Sequence, residues 1–439
     1  MKPVVAIVGR PNVGKSTLFN RIIGKRLAIT EDIPGVTRDR IFSDAEWAGR
    51  EFTVVDTGGL DPKSEDVIFV QMYKQAQLAI EMANVILFMV DAKQGLMPDD
   101  HDVANVLRQS NKPVLLVMNK ADNKLLENEL YEFFSLGFGD PIAVSALQGL
   151  GIGDLLDKIV EELGNIEAEP EDKETLKIAV VGKPNVGKSS LVNKILNEER
   201  VIVSDIPGTT RDAIDTYFEQ DGRKYCLIDT AGLRRKRSVK FGTVESYSVI
   251  RTLGAIRRCD VAVVMLDATQ ELSEQDIKVA GYVHEQGKPS VIVVNKWDAV
   301  EKDTNTMDKM KKSIISDLAF MDYARVLFIS AKTGSRVDKI FPAVQSAYEQ
   351  STRRISTGLL NDILQDALIV TPPPSDKGRR LKIYYVSQVA VSPPLFALFV
   401  NDTEAMHFSY LRFLENHFRK SFGFEGTPIR FALRQKDKE

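Results

Sequence analysis

Short apolar runs alternate with amphipathic segments along the first 164 residues of the chain. The runs predict strands at 3–8, 51–55, 85–90, 113–118 and 141–144, and the amphipathic segments predict helices at 15–23, 68–82, 100–110, 127–136 and 152–163. This alternation predicts a mostly parallel sheet with helices on both faces. Ligands of such folds bind beyond the carboxyl ends of the strands, so functional residues are expected where strands end.

The pattern occurs twice, and this repeat determines the predicted domain organisation. Four residues recur 173 positions later: Lys15 as Lys188, Pro34 as Pro207, Thr37 as Thr210 and Asp56 as Asp229. The period exceeds the roughly 20–50 residues of solenoid repeats, so each copy is expected to be a complete domain. We predict one domain over 1–164 and a second over 176–350. The acidic, proline-containing segment 165–175 is predicted to be a flexible linker.

The repeat stops near residue 351, and the rest of the chain has a different order of elements. We predict an α+β domain over 351–439, with helices at Thr357–Leu368 and Ala405–Phe422 and strands at Leu381–Val389, Leu395–Val400 and Pro428–Leu433. This segment carries 13 Lys/Arg against 9 Asp/Glu, whereas the whole chain has a net charge of −3. Such a basic domain fits either a polyanionic partner or a solvated surface.

Each copy contains a G-x-x-x-x-G-K-S segment between a predicted strand and a predicted helix, which is the setting of a phosphate-binding loop. Glycines allow backbone N–H groups to surround phosphates, and the helix N-terminus adds positive potential. The lysine is expected to reach the β- and γ-phosphates, and the serine hydroxyl to bind Mg²⁺. The two loops are Gly9-Arg10-Pro11-Asn12-Val13-Gly14-Lys15-Ser16, followed by Thr17, and Gly182-Lys183-Pro184-Asn185-Val186-Gly187-Lys188-Ser189, followed by Ser190.

Two further segments of each copy are predicted to contact the γ-phosphate and its metal ion. An aspartate ends a strand and is placed to support Mg²⁺. Thr37 and Thr210 lie in Pro-Gly loops and can offer a hydroxyl to the metal when a γ-phosphate is present, so these loops are expected to be released after hydrolysis. The strand-end segments are Asp56-Thr57-Gly58-Gly59-Leu60 and Asp229-Thr230-Ala231-Gly232-Leu233. The predicted catalytic residues are Lys15, Thr37, Asp56, Lys188, Thr210 and Asp229.

A third motif, N-K-x-D, follows a later strand in each copy and predicts guanine as the base. Its aspartate can accept hydrogen bonds from guanine N1–H and from the 2-amino group, which adenine lacks at those edges. The lysine stem can lie over the base plane. The motifs are Asn119-Lys120-Ala121-Asp122 and Asn295-Lys296-Trp297-Asp298. The segments Ser145-Ala146-Leu147 and Ser330-Ala331-Lys332 are placed to donate a backbone N–H to the guanine carbonyl.

These motifs together resemble translation-factor-related GTPase domains, and the tandem arrangement resembles the Der/EngA family of bacterial GTPases. The resemblance covers essentially the whole chain. It implies two GTP-hydrolysing sites, a KH-like C-terminal domain and action in assembly of the large ribosomal subunit, with that subunit or its ribosomal RNA precursor as partner. The segment Lys377-Gly378-Arg379-Arg380 is a basic turn and lacks the G-x-x-G loop with which KH domains clamp RNA.

The chain departs from better-known small GTPases where they place a water-orienting glutamine, because Leu60 and Leu233 occupy that position. Related GTPases with an asparagine in the phosphate loop use it to help bind K⁺, so the resemblance implies this role for Asn12 and Asn185. Arg38 and Arg211 are rival candidates for stabilising transition-state charge, or they are solvated loop residues.

Other functional hypotheses stay open at this point. The basic run at 234–237 is either a surface loop or a docking patch for RNA phosphates or an acidic protein surface. A switch with a protein effector and no RNA partner is the alternative to the ribosomal hypothesis. A GTP-dependent RNA-modifying enzyme would need a second catalytic constellation, which the C-terminal segment does not offer.

Composition and length limit the remaining classes. Hydrophobic content of 44% and charged content of 27% are ordinary for a globular protein. No run approaches the roughly 18 consecutive apolar residues of a membrane span, and no signal-peptide core follows Met1. Cys226 and Cys259 are expected to be reduced core thiols. We therefore expect a cytoplasmic monomer with no membrane partner, and GTP or GDP with magnesium as its ligands.

Overall fold

The first domain contains a mostly parallel sheet, of which six strands are described and only the pair at one edge is antiparallel. A computed structural model of the chain describes residues 2–24, 42–57, 76–77, 79–110, 112–122, 130–164, 174–197, 201–203, 215–229, 244–301, 303–373, 375–376 and 379–435. The strands are β1 (Val4–Gly9), β2 (Phe42–Trp47), β3 (Arg50–Asp56), β4 (Val85–Asp91), β5 (Val114–Asn119) and β6 (Ile142–Ala143), in the order β2-β3-β1-β4-β5-β6. The helices are α1 (Lys15–Ile23), α2 (Pro98–Arg108), α3 (Leu130–Phe133) and α4 (Ile152–Gly164).

The second domain repeats this architecture in a seven-stranded sheet with the order β13-β12-β11-β7-β10-β9-β8. Its strands are β7 (Leu176–Val181), β8 (Val201–Val203), β9 (Thr216–Gln220), β10 (Arg223–Ile228), β11 (Val261–Asp267), β12 (Ser290–Asn295) and β13 (Arg325–Phe328). Its helices are α5 (Lys188–Leu196), α6 (Val244–Arg258), α7 (Glu274–Glu285), α8 (Thr306–Asp317) and α9 (Ile340–Thr352). The strands β9 and β8 extend one edge in antiparallel pairing, and the other pairs are parallel.

The central strands are apolar on both faces because each face is covered. All seven residues of β4 and of β11 are buried, as expected for strands with helices on both sides. Successive residues of β11 enter different cores: Val263 packs in the cluster that contains Leu191, whereas Val264 packs in the cluster that contains Val283. This alternation follows from the two-residue period of a strand.

The C-terminal domain has the predicted α-β-β-α-β order, with two helices on one face of a three-stranded sheet. Its main elements are α10 (Thr357–Val370), β16 (Ile383–Ala390), β17 (Leu395–Val400), α11 (Phe408–Phe422) and β18 (Arg430–Gln435). A two-stranded hairpin of β14 (Ser375–Asp376) and β15 (Arg379–Arg380) lies between α10 and β16. The core contains Phe396, Leu398, Leu414 and Phe418 from the sheet and α11. Three aromatic residues of this domain, Tyr384, Tyr385 and Phe408, are exposed.

Most of the second phosphate-loop domain, in residues 172–240 and 251–350, forms one compact unit with the C-terminal domain, and residues 1–171 belong to another. The Ser290 N–H at the start of β12 donates to the Gly426 carbonyl at 2.7 Å, and the Gly426 N–H donates to the Tyr323 carbonyl at 2.7 Å. Arg430 donates to the carbonyls of His284 and Glu285 at the end of α7. A guanidinium there satisfies the terminal carbonyls and complements the helix dipole.

Most predicted elements of the first domain occur with ends shifted by at most two residues. Of the predicted helix at 127–136, residues 130–133 are α-helical and Phe134–Leu136 form a 3₁₀ turn, whereas 127–129 lie outside the described residues. The edge strand β2 was not predicted, since half of its FSDAEW residues are polar and only its fourth residue is buried. Of the predicted helix at 68–82, residues 79–82 are helical and 68–75 lie outside the described residues. Most of the predicted linker also lies outside them.

Within the described residues, no helix combines the length and apolar character needed to cross a membrane.

Candidate functional site

The first phosphate loop lies between β1 and α1 near the centre of the sheet. Gly14 precedes α1 in the left-handed region, at φ 98°. The Lys15 ammonium donates to the carbonyl oxygens of Gly9 at 2.7 Å and Arg10 at 2.6 Å. These two hydrogen bonds hold the cation across the loop, where the helix N-terminus also favours anions.

The second phosphate loop has the same geometry. Lys188 donates to the carbonyl oxygens of Gly182 at 2.6 Å and Lys183 at 2.8 Å. Asn12 and Asn185 are exposed in their respective loops, with φ of 65° and 66°. Asparagine adopts this left-handed conformation more readily than most residues. The two copies therefore share backbone shape as well as sequence.

Burial changes the acidity of the first loop lysine. Desolvation lowers the pKa of Lys15 to about 8, while the nearby Asp56 carboxylate acts to raise it and Arg10 acts to lower it. Lys15 therefore holds its proton less tightly than an exposed lysine does. A phosphate group bound beside it would raise the pKa again, because an opposite charge at close range favours the protonated amine.

Ser16 and Asp56 form an oxygen-rich pair beside the first phosphate loop. The Ser16 hydroxyl donates to Asp56 Oδ2 at 2.7 Å, and Asp56 is 2% exposed at the end of β3. The next residue, Thr57, donates to the Ile7 carbonyl in β1 at 2.6 Å and so fixes the end of β3. Hydroxyl and carboxylate oxygens are the ligands that Mg²⁺ prefers, so this pair fits a magnesium ion.

Asp229, the counterpart of Asp56, has a different local geometry. It follows β10 with φ 58°, and its N–H donates to Asp215 Oδ1 at 2.9 Å. Asp215 is also paired with Arg258. Ser189 is half-buried in the first turn of α5. The two pockets therefore differ at the aspartate predicted to support the metal.

A buried asparagine in each domain joins the phosphate loop to the segment Ser145-Ala146-Leu147 or Ser330-Ala331-Lys332, which is called the third loop below. Asn119 donates from Nδ2 to the Val13 carbonyl at 2.7 Å and accepts the Ala146 N–H at Oδ1 at 3.0 Å. Asn295 repeats both hydrogen bonds, with the Val186 carbonyl at 2.8 Å and the Ala331 N–H at 2.9 Å. The positions of the phosphate-binding and base-binding segments are therefore coupled through one side chain.

These asparagines also explain a glycine in each phosphate loop. A Cβ on Gly14 would lie 2.3 Å from Asn119 Nδ2, and a Cβ on Gly187 would lie 2.2 Å from Asn295 Nδ2. Gly187 has φ 103°, so both its space and its conformation exclude a side chain. The pairing of these glycines with the asparagines is thus a steric requirement.

The lysine of each N-K-x-D motif is fixed by an aspartate at the end of the neighbouring strand. Lys120 and Lys296 have φ of 65° and 63°. Lys120 donates to Asp91 Oδ2 at 2.6 Å, and Lys296 donates to Asp267 Oδ2 at 2.5 Å. Both aspartates are buried. The ion pairs orient the lysine stems that are predicted to lie over the base.

The predicted base-binding carboxylate of the first pocket is oriented by two donors. Ser145 donates to Asp122 Oδ1 at 2.7 Å, and Lys93 donates to Asp122 Oδ2 at 2.5 Å. These hydrogen bonds hold the pKa of Asp122 below its ordinary value, with Lys93 as the largest cause. Asp122 is therefore an ionised acceptor at neutral pH.

Backbone hydrogen bonds hold the residues that precede Asp122 and Asp298. The Ala121 N–H donates to the Val144 carbonyl at 3.1 Å, and the Trp297 N–H donates to the Ile329 carbonyl at 3.0 Å. Leu147 and Lys332, at the ends of the third loops, are exposed.

Several predicted site residues lie outside the described residues. They are Thr37, Gly58, Gly59, Leu60, Thr210, Thr230, Ala231, Gly232 and Leu233.

Comparison with known proteins gives the family. A family model described as "50S ribosome-binding GTPase" matches residues 4–120 and 177–296, and one described as "KH-domain-like of EngA bacterial GTPase enzymes, C-terminal" matches residues 354–434. GTPase Der of Clostridium kluyveri is 58% identical over 435 residues, which cover 99% of each chain. The chain belongs to the Der/EngA family of GTPases.

Other Der proteins agree with this assignment. GTPase Der of Acetivibrio thermocellus is 56% identical over 439 residues and 100% of each chain, and GTPase Der of Clostridium botulinum is 56% identical over 435 residues and 99% of each chain. As a member of the Der/EngA family, the chain is a GTP hydrolase with tandem GTPase domains. The predicted fold class, including the KH-like C-terminal domain, is confirmed.

The Der/EngA pockets also contain an anchoring pair that the motif analysis missed. Arg10 donates from Nε to Asp100 Oδ1 at 2.8 Å, and Lys183 donates from Nζ to Asp276 Oδ2 at 2.7 Å. Both aspartates are buried in the first turns of α2 and α7. Asp100 and Asp276 are 176 positions apart, like the motif lysines Lys120 and Lys296. The internal repeat could therefore have indicated these two aspartates from the sequence.

Proposed function

We propose that this GTPase is a nucleotide-controlled switch that acts in assembly of the large ribosomal subunit and hydrolyses GTP to GDP and phosphate at both pockets. The observation that carries the two-site proposal is the buried asparagine of each domain, which joins the phosphate loop to the third loop in the same way twice. The ribosomal part is supported by the matching family model, which is described as a 50S ribosome-binding GTPase.

The proposed chemistry is in-line attack of water on the γ-phosphate. Lys15 and Lys188 neutralise phosphate charge, and Thr37 and Thr210 respond to the γ-phosphate, so that their loops are released after hydrolysis. Magnesium, when bound, supplies positive charge to the β- and γ-phosphate oxygens. The residues proposed to hold it are Ser16, Thr37 and Asp56 in the first pocket and Ser189, Thr210 and Asp229 in the second.

The guanine preference is assigned to Asp122 and Asp298. Asparagine in place of either carboxylate offers one donor and one acceptor, which suits xanthine better than guanine. Asp122→Asn is expected to shift the first pocket toward xanthosine triphosphate, measured by nucleotide competition. Unchanged guanine selectivity would contradict the assignment.

We further propose that hydrolysis requires K⁺ at one or both pockets. Leu60 and Leu233 cannot hydrogen-bond to water, so another group must compensate for the missing glutamine. Asn12 and Asn185 are exposed at the phosphate loops, which supports a role in binding a monovalent cation. Turnover is expected to be faster in KCl than in NaCl of equal ionic strength, and equal rates would exclude the proposal.

RNA is the proposed partner of the C-terminal domain, and its exposed aromatic residues support this choice. Tyr385 stacks on Phe399 with ring centroids 4.1 Å apart and planes within 11°. Arg434 is the register partner of Phe399 on β18 and is exposed. Aromatic side chains and arginine on one sheet face can stack unpaired bases without a G-x-x-G loop.

Sedimentation with large ribosomal subunits and their precursors tests the partner proposal. Co-sedimentation is expected with a non-hydrolysable GTP analogue and to differ with GDP. Tyr385→Ala should weaken it, with the exposed Tyr131→Ala in the first domain as a matched control. Absence of co-sedimentation in both nucleotide states would favour the alternative, a protein effector without RNA. We propose that the protein acts as a cytoplasmic monomer; analytical ultracentrifugation checks its oligomeric state.

A further inference from the structure

Lys93 distinguishes the first base-binding site from the second. The strands β4 and β11 end in Asp91-Ala92-Lys93-Gln94 and Asp267-Ala268-Thr269-Gln270, so Thr269 is the counterpart of Lys93. Lys93 reaches across to Asp122. The backbone N–H of each residue donates to the strand-end aspartate, from Lys93 to Asp91 Oδ1 at 2.9 Å and from Thr269 to Asp267 Oδ1 at 3.0 Å. The side chains differ, because the Thr269 hydroxyl turns back to Asp267 Oδ1 at 2.7 Å.

The oxygen that Lys93 contacts is one that guanine needs. A carboxylate that binds guanine accepts from N1–H and from the 2-amino group, so both Asp122 oxygens take part. Ser145 already donates to Oδ1, and Lys93 donates to Oδ2. The Lys93 ammonium therefore uses a hydrogen-bond acceptor position on Asp122 Oδ2, and it neutralises part of the carboxylate charge that would attract the base.

The Lys93 ammonium can leave Asp122 at modest cost. Its side chain is 60% exposed, whereas that of Asp122 is 23% exposed. Water can solvate the released ammonium, and exposed ion pairs of this kind are weak. The arrangement thus suits reversible competition between a side chain and a ligand rather than a permanent structural bond.

We propose that Lys93 competes with the guanine base for Asp122 and thereby weakens nucleotide binding in the first pocket. The proposal rests on the proposed role of Asp122 as the guanine-binding residue. Threonine at the equivalent position of the second pocket removes this competition. One side chain thus tunes the two pockets of one chain to different nucleotide affinities.

Reciprocal exchange of the two residues tests the proposal in the full-length chain. Lys188→Ala isolates the first pocket for measurement, and Lys15→Ala isolates the second. Lys93→Thr is expected to slow release of a fluorescent GDP analogue from the first pocket by about two- to fivefold, the range of an exposed ion pair. Thr269→Lys is expected to speed release from the second pocket.

Two further variants separate charge from side-chain length. Lys93→Met keeps a long side chain without charge and should behave like Lys93→Thr. Lys93→Arg keeps the charge and should retain fast release. Added salt screens the competing charge, so it should slow release from the wild-type pocket more than from the Lys93→Met pocket. Unchanged or faster release from Lys93→Thr would overturn the proposal.

An Asp122→Asn background distinguishes failure of the proposal from failure of the base assignment. If Asp122 binds the base and Lys93 competes for it, the Asp122→Asn pocket prefers xanthosine nucleotides and Lys93→Thr no longer changes their release. If xanthosine preference appears but Lys93→Thr has no effect in the parent pocket, the competition is refuted alone. If Asp122→Asn leaves guanine selectivity intact, both assignments fall.

Discussion

Asn119 and Asn295 show how single side chains set the geometry of each pocket. The sequence predicts that the N-K-x-D motif binds the base. In the structure, however, the first residue of each motif uses its amide nitrogen to bond the phosphate loop and its amide oxygen to bond the third loop. Each asparagine is 3% exposed. Its proposed contribution to nucleotide binding is therefore indirect, through the position of other groups.

Asn119→Ala is expected to weaken GDP binding in the first pocket and to destabilise the first domain. The substitution leaves the Val13 carbonyl and the Ala146 N–H without these partners, and a buried polar group left unsatisfied costs about 1–3 kcal/mol. Calorimetric titration and thermal unfolding of the Lys188→Ala chain measure both effects. Asn105→Ala, on the exposed side of α2, serves as control. Loss of affinity without loss of stability would show that the amide contacts the nucleotide directly.

The low pKa of Lys15 predicts a pH dependence of nucleotide binding. With a pKa of about 8, part of Lys15 is neutral near pH 8, and bound phosphates should restore its proton. GDP binding to the first pocket is therefore expected to take up protons near pH 8 and to weaken as pH rises further. Calorimetry of the Lys188→Ala chain in two buffers of different protonation enthalpy measures the uptake. Lys15→Arg stays charged and should abolish it; persistence of the uptake would assign it to another group.

The same shift affects the stability of the protein without nucleotide. The pKa of Lys15 in the folded protein lies below the ordinary lysine value of 10.5, so the unfolded chain binds more protons between about pH 8 and 10.5. Linkage then makes the Lys15 contribution to the free energy of unfolding rise with pH across this window.

Strand ends position the pocket residues at the element scale. β1, β4 and β5 are adjacent in the sheet, so the phosphate loop, Asp91 and Asn119 emerge side by side at their carboxyl ends. The sequence predicted these positions, because apolar runs followed by a polar motif define both the strand and its end. It did not predict the pairing of Lys120 with Asp91 or of Lys93 with Asp122, since hydrogen bonds between separate loops leave no periodic pattern in the sequence.

The edge elements were less predictable for a related reason. In β2, half of the residues are polar and only one is buried, so it lacks the continuous apolar signal of the central strands. The turn at Gly426 joins the C-terminal domain to the second domain through two backbone hydrogen bonds, one with Ser290 in β12 and one with Tyr323 before β13. Such bonds do not depend on side-chain type, and the sequence shows only a glycine.

Gly426→Ala is expected to destabilise the second unit by about 1–3 kcal/mol, the cost of a left-handed residue with a side chain. Gly426 has φ +80°, and a Cβ there would lie 2.6 Å from the Ala347 Cβ. Gly358→Ala is the matched control, because Gly358 lies in α10 with nothing within 4 Å of its Cβ position, and alanine favours helix. Urea unfolding measures both changes. Equal stability of the two variants would show that the turn adapts freely.

At the scale of the whole molecule, the chain should unfold as two cooperative units rather than three. Differential scanning calorimetry with GDP should give one transition for the first domain and one for the second domain with the C-terminal domain. Arg430→Ala removes the guanidinium from the end of α7 and should broaden or split the second transition only. Arg434→Ala, farther along β18, is the control. Three transitions in the unaltered protein would contradict this unit structure.

The strand β12 connects the C-terminal domain to the second pocket. Its first residue, Ser290, is hydrogen-bonded to Gly426, and its last, Asn295, holds the phosphate loop and the third loop together. A six-residue strand spans roughly 20 Å and is fixed by ladders on both sides. A displacement of the C-terminal domain at Gly426 is therefore expected to strain the Asn295 amide and to change nucleotide binding in the second pocket.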